Sequence, residues 1–236
     1  MAVLIVIIVF LAALQQSLSG FGFALVAMPL LVQLLGIRVA APLVAALGLT
    51  LTTINSFRWR REMELKEIRR LGVWMALGIP LGIWGIITLN ESFVKAVLGL
   101  LLVGYALFAL FKPDKLPTIS RHWAYPAGFL AGILSGAYNT PGPPLVLYGN
   151  LRKWPHQRFR AVLQSLFAFA ATIVVIGHLV AGNFSSSVLR WTMLTLPGLV
   201  LGVSLGAMFD RRISPTHLGK WITLVTLVLG VSLLIP

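Results

Sequence analysis

Two short runs of small and helix-breaking residues interrupt the apolar sequence, one in each half of the chain. The first is Ser19-Gly20-Phe21-Gly22-Phe23, and the second, from Ser135 to Pro144, reads Ser-Gly-Ala-Tyr-Asn-Thr-Pro-Gly-Pro-Pro. Their side-chain hydroxyls and amides donate hydrogen bonds, and the N–H groups of a helix that starts after such a break carry partial positive charge. Groups of this kind can bind an anion.

The acidic residues are few, and they fall in loops or at the ends of apolar spans: Glu62, Glu64, Glu67, Glu91, Asp114 and Asp210. Cation sites inside a membrane usually include a carboxylate, because fixed negative charge offsets the cation's lost hydration. The sequence therefore favours an anionic or neutral ligand. It contains no Cys, which excludes disulfides and thiolate metal sites, and we predict neither a metal nor a cofactor.

We predict that the two breaks form one substrate site near the membrane midplane, because irregular backbone at that depth must be buried in protein or line a polar cavity. Paired interruptions mark the binding site of transporters built from repeats. The predicted substrate-binding residues are Gln16, Ser19, Gly20, Phe21, Gly22, Ser135, Gly136, Asn139, Thr140, Gly142 and Gln164. The prolines of the second break lack N–H groups and are predicted to shape a rigid tip that is not helical.

Three further polar residues have alternative interpretations. Arg38 and Arg160 begin corresponding spans and are predicted to attract an anion to each mouth; the alternative is that they snorkel to the interface. His178 could take up a proton during transport, whereas the simpler interpretation is an interfacial histidine with its hydrogen bonds satisfied. We expect Gly78, Gly82, Gly198 and Gly202, spaced as small-x3-small pairs, to be helix-packing residues.

Composition places the chain in the membrane. Of its 236 residues 58% are hydrophobic and 11% charged, and the mean hydropathy is +0.93. We predict an all-α, multi-pass membrane protein whose partners are the lipid bilayer and a small anion. The net charge of +13 does not indicate nucleic acid, because the basic residues lie in loops between apolar spans. Association into a homo-oligomer stays open.

The apolar stretches form two similar halves, predicted to be membrane repeats 1–111 and 112–236. Ser19-Gly20 aligns with Ser135-Gly136, and Gly78-x3-Gly82 aligns with Gly198-x3-Gly202. Each half is predicted to contain one broken or re-entrant helical hairpin and three transmembrane helices. The predicted apolar stretches are 2–18, 21–35, 39–57, 71–89, 93–111, 122–138, 143–151, 159–181, 188–208 and 217–235.

Positive charge predicts the topology. Most of the 19 Lys and Arg residues lie in four connections, 58–70, 112–121, 152–160 and 211–220, which should face the cytoplasm. The apolar segment 122–151 lies between two of them, so it must enter the membrane and return on the same side. Each half then crosses the membrane an odd number of times. The second repeat is therefore inverted relative to the first, and both termini are predicted to lie outside.

The residues around the breaks resemble the TauE/SafE family of sulfite and sulfonate exporters. The resemblance rests on Ser19 to Phe23 with Pro29-Leu30, and on Gly128 to Pro144 with Tyr148 and Arg160-Ala161. It extends over the whole chain and includes its length and duplication. It implies transport of small sulfur-containing anions, with export the expected direction, across the bacterial cytoplasmic (inner) membrane.

Three other functions would fit parts of the sequence. A passive anion channel would show the same donors, and a structural or assembly protein would leave the paired breaks unexplained. An intramembrane serine hydrolase would use Ser135 as nucleophile and His178 as base, but Gly132 lies three residues before Ser135, which departs from the Gly-x-Ser-Gly motif. We therefore predict no catalytic residues and a secondary transporter that works by alternating access.

Overall fold

The computed structural model describes residues 1–111, 117–209, 223–224, 227–228, 230–232 and 234; of residues 86, 87, 91, 94 and 95 it describes the backbone only. Every regular element within these residues is helical, which confirms the predicted all-α class. The α-helices are α1 (Ala2–Ser19), α2 (Phe23–Leu35), α3 (Ile37–Trp59), α4 (Leu65–Thr88), α5 (Glu91–Leu110), α6 (Ala124–Tyr138), α7 (Gly142–Leu151), α8 (His156–Val180) and α9 (Ser186–Phe209).

Four segments among the described residues are long and apolar enough to cross a bilayer: Ala2–Ser19, Ile37–Glu62, His156–Val180 and Ser186–Phe209. Phe23–Leu35 and Ala96–Leu110 are shorter apolar helices. The chain is therefore a multi-pass membrane protein. Most of the predicted last span, 217–235, and the charged residues Lys112, Asp114, Lys115, Asp210, Arg211, Arg212 and Lys220 lie outside the described residues.

Glycine forms the first break. Gly20 ends α1 with φ 89°, and Gly22 precedes α2 with φ 106°, so both lie in the left-handed region that a Cβ atom disfavours. The two left-handed residues interrupt the helical path between α1 and α2. Helices α1 and α2 then pack against each other.

The second break uses Asn139, whose φ of 55° ends α6. Its N–H donates to the Ser135 carbonyl at 2.9 Å, and the Thr140 N–H donates to the Leu134 carbonyl at 3.2 Å. The prediction of a tip without helix was wrong for Pro143 and Pro144, which lie in the first turn of α7. Proline fits there because the N–H groups of a first turn have no partner inside the helix.

The ends of the second hairpin lie together. The Ile119 N–H donates to the Leu151 carbonyl at 3.3 Å, and Arg152 Nη1 donates to the Ile119 carbonyl at 2.8 Å. A segment whose two ends are joined in this way starts and finishes at one place. This geometry agrees with a segment 122–151 that enters and returns, whereas the membrane face on which it does so stays a prediction.

Two compact units make up the chain. Unit 1 comprises Met1–Leu47, Thr88–Lys112 and Phe184–Pro236, and unit 2 comprises Gly48–Ile87 and Pro113–Asn183. Each unit combines segments from both predicted repeats. The division of the sequence into repeats 1–111 and 112–236 therefore concerns internal duplication, and it stays a prediction.

Glycine packing organises each unit internally. In unit 1, a Cβ at Gly198, Gly202 or Gly206 of α9 would meet atoms of α1. In unit 2, a Cβ at Gly78 or Gly82 of α4 would overlap the backbone of α6. The packing role predicted for Gly78, Gly82, Gly198 and Gly202 is confirmed, because small residues let membrane helices approach at backbone distance.

Candidate functional site

The first break satisfies much of its own backbone. Gln16 Oε1 accepts the Phe23 N–H at 2.8 Å, so a buried side chain caps the first turn of α2. Gln15 Nε2 donates to the Phe21 carbonyl at 2.8 Å and to Ser19 Oγ at 3.1 Å. The adjacent glutamines of α1 thus bind the chain that follows them.

Ser19 takes part in the same local network. Its hydroxyl lies 2.7 Å from the Phe21 carbonyl and 2.9 Å from the Gln15 carbonyl, and its one proton is directed to these backbone acceptors. A Cβ at Gly22 would lie 2.5 Å from Gln15 Nε2, so the glutamine amide occupies the space that a side chain would need. A ligand reaching Ser19 would have to exchange with these internal bonds.

The second break contains a buried hydroxyl that the first lacks. Thr140 is 2% exposed, and its Oγ1 has no hydrogen-bond partner within the described part of the chain. Thr140 precedes Pro141, the N-cap of α7. Because Pro141, Pro143 and Pro144 have no N–H, Gly142 carries the only backbone donor among the four positions that begin this helix.

Three other predicted site residues lie buried in helices. Ser135 is buried on α6, where its carbonyl accepts the Asn139 N–H. A Cβ at Gly136 would overlap the Ile79 carbonyl, so close approach to α4 accounts for this glycine. Gln164 is 1% exposed within α8.

The two arginines predicted at the mouths differ in exposure. Arg38 is exposed in the first turn of α3. Arg160 is 2% exposed and its guanidinium lies over the Trp59 ring, 5.4 Å from the centroid. The Arg160 guanidinium is therefore not exposed to water. It makes a cation–π contact with the Trp59 ring.

His178 is buried near the end of α8. The Asn183 amide lies 2.9 Å from His178 Nδ1, and the Asn183 N–H donates to the His178 carbonyl at 2.9 Å. If the amide donates to Nδ1, the ring proton is on Nε2, which is buried without a partner among the described residues. No hydrogen bond joins His178 to Ser135 in that part of the chain.

Glu67, which the sequence places at the end of a span, is buried in the structure. Its carboxylate has two partners inside the protein: Arg70 Nη1 lies 3.0 Å from Oε1, and the Tyr148 hydroxyl donates to Oε2 at 3.1 Å. Tyr148 in turn contacts the Trp154 ring edge-on at 5.4 Å. The spacing of three residues between Glu67 and Arg70 could have predicted this ion pair, because residues three apart on a helix are neighbours. The ion pair neutralises the carboxylate.

Comparison with known proteins decides the family. The model of the sulfite exporter TauE/SafE family matches residues 5–233. The chain belongs to this family. The predicted resemblance is confirmed, and because the family consists of transporters, the hydrolase alternative is wrong.

Two relatives resemble this family member over most of their length. The probable sulfite/organosulfonate exporter TauE of Cupriavidus necator is 23% identical over 229 residues, which cover 94% of this chain and 89% of the relative. The probable inner membrane transporter protein TsaS of Comamonas testosteroni is 24% identical over 176 residues, 73% of each chain. No solved structure matches.

Proposed function

We propose that this TauE/SafE family member exports a small sulfur oxyanion, sulfite or an organosulfonate, across the bacterial cytoplasmic membrane by alternating access. The relatives' names support the substrate class and the inner membrane. The charges of the described residues support an anion, because the buried carboxylate of Glu67 is already paired with Arg70.

The unpartnered hydroxyl of Thr140 carries the proposal. A buried hydroxyl without a partner costs free energy, on the order of 1–3 kcal/mol, which a ligand's oxygen would recover. The Gly142 N–H, at the positive end of α7, is the next backbone donor along the chain after Thr140, because Pro141 has no N–H. A sulfur oxyanion has several acceptor oxygens, so it can accept from both groups together.

The first break has a different part in the proposal. Its donors are engaged with Gln15, Gln16 and the Phe21 carbonyl, so substrate contact by Ser19 and its neighbours requires those bonds to open. Left-handed Gly20 and Gly22 can accommodate such a change because they lack a Cβ. We propose that the first break rearranges during the transport cycle.

Thr140→Val tests the proposal, because it removes the hydroxyl and keeps the branched shape. Loss of one hydrogen bond to a charged ligand costs about 1.5–3 kcal/mol, so sulfite or short alkyl sulfonate affinity should fall about ten- to a hundred-fold. The thermal unfolding midpoint of the purified protein should stay the same or rise. Thr140→Ser, which keeps a hydroxyl, should retain most of the affinity.

Thr172→Val is the matched control. Thr172 is exposed on α8 and its hydroxyl donates to the Ala168 carbonyl, so this variant should transport normally. Full affinity in Thr140→Val would overturn the proposed site. Competition of Na⁺ or amines, instead of oxyanions, with sulfite transport would overturn the substrate class. Sulfite transport that never saturates and shows no counterflow would indicate a passive channel.

A further inference from the structure

A cavity of about 380 Å³ lies in unit 2 where α4 begins, beside the start of α6. Its described lining consists of Lys66, Arg69, Arg70, Val73, Trp74 and Tyr125. Along α4 the basic residues come first, at the N-terminal end of the helix, and the apolar and aromatic residues come after them. None of the described lining residues belongs to either helix break.

Positive charge in the cavity is only partly neutralised. Arg70 is 3.0 Å from the Glu67 carboxylate, but no ion pair joins exposed Lys66 or Arg69 to an acidic residue within the described part of the chain. The described lining has no acidic side chain of its own. Two cations are therefore available to one anionic group.

An apolar stripe continues from the cavity along α4. Val73 is 55% exposed, Leu77 56%, Leu81 51% and Trp84 64%, and their spacing of three or four residues places them on one helix face. The rise from Val73 to Trp84 is roughly 16 Å at 1.5 Å per residue. That is close to half the roughly 30 Å hydrocarbon thickness of a bilayer, the depth of one leaflet.

Aromatic rings lie where the charged and apolar parts meet. The Trp74 and Tyr125 ring centroids are 5.4 Å apart, and both side chains are partly exposed. Such amphipathic rings are typical of the level of the lipid headgroups. Charge, aromatic pair and apolar stripe therefore follow the order of headgroup, interface and acyl chain in a phospholipid.

We propose that this face of α4 binds an anionic phospholipid. Its phosphate contacts Lys66 and Arg69, and an acyl chain lies along Val73, Leu77 and Leu81. A free small anion would contact only the basic end, whereas a phospholipid contacts the basic end and the adjoining apolar stripe together. The proposed lipid site is independent of the transported substrate.

Binding of fluorescent phosphatidylglycerol to the delipidated protein in detergent tests this proposal, with phosphatidylcholine of the same chain length as comparison. A Lys or Arg near a membrane surface contributes about 1 kcal/mol to attraction of anionic lipid, so the double variant Lys66→Gln/Arg69→Gln should bind phosphatidylglycerol about thirty-fold more weakly. Lys66→Gln alone should weaken binding about five-fold. Phosphatidylcholine should bind weakly to every variant.

Arg60→Gln/Arg61→Gln is the matched control, because it removes the same charge from the same unit outside this cavity. It should retain most of the phosphatidylglycerol affinity. An equal loss in both double variants would show attraction by net charge alone and overturn the site. Equal binding of phosphatidylcholine, or of glycerophosphoglycerol without acyl chains, would overturn the lipid assignment.

Discussion

At the scale of single residues, side-chain hydrogen bonds distinguish the two breaks. Gln16 caps α2 by accepting the Phe23 N–H, whereas Thr140 beside α7 has a hydroxyl without a partner among the described residues. One break therefore supplies its own acceptor. The other leaves a donor for a ligand, which is the basis of the proposed function.

The capping role of Gln16 predicts a stability effect. Gln16→Leu keeps an apolar stem but leaves the buried Phe23 N–H without an acceptor, which should cost about 1–3 kcal/mol. The thermal unfolding midpoint should fall. Gln33→Leu on α2 removes only an exposed hydrogen bond, from Gln33 Nε2 to Ser232 Oγ, and should change it little. Equal midpoints for Gln16→Leu and the parent protein would contradict the cap.

At the scale of helices, glycine sets how closely α4 and α6 approach. Gly128, Gly132 and Gly136 of α6 face the Leu71, Met75 and Ile79 carbonyls of α4, one helical turn apart. A side chain at any of these positions would separate the two backbones. Because α6 leads directly to Thr140, this packing also positions the second break.

Gly132→Ala should therefore destabilise the protein. The added methyl group would overlap the Met75 carbonyl oxygen, which is backbone and cannot rotate away, and overpacking of this kind costs about 1–3 kcal/mol. Gly104→Ala is the control, since no heavy atom outside the helix's own backbone lies within 4 Å of its Cβ position. Unfolding midpoints should fall for the first and hold or rise for the second.

At the scale of the whole chain, contacts gather basic connections at one end of unit 2. Arg158 pairs with Glu64, and Arg152 donates to the Ile119 carbonyl, so connections 58–70, 152–160 and the described part of 112–121 meet there. The predicted topology places all three in the cytoplasm. Their proximity agrees with that prediction without assigning the membrane face.

Single cysteines can assign the face, because the chain has no native Cys. Ser120→Cys and His156→Cys should react with an impermeant thiol reagent from the cytoplasmic side, and Ser186→Cys from the outside. All three positions are exposed. Reaction of Ser120→Cys and His156→Cys from opposite sides would contradict the re-entrant hairpin, and the reverse pattern for all three would invert the predicted termini.

The sequence by itself determined the membrane class, the helical segments, both breaks and the family. These follow from composition, apolar runs and local backbone preference, each of which is a property of neighbouring residues. The glycine pairs were also recognisable, because small-x3-small spacing lies within one helix. Pro143 and Pro144 correctly indicated the position of the second break, although they lie in the first turn of α7 and not in a tip without helix.

The tertiary structure decided which polar groups are already satisfied. Glu67 accepts a hydrogen bond from Tyr148, 81 residues away in sequence, and Arg160 is buried against Trp59 although its position suggested the mouth of a pathway. Gln16 reaches across the break to Phe23, whereas Thr140 finds no partner among the described residues. Partners of this kind depend on how helices pack, so residue types and spacing alone could not separate a free donor from an engaged one.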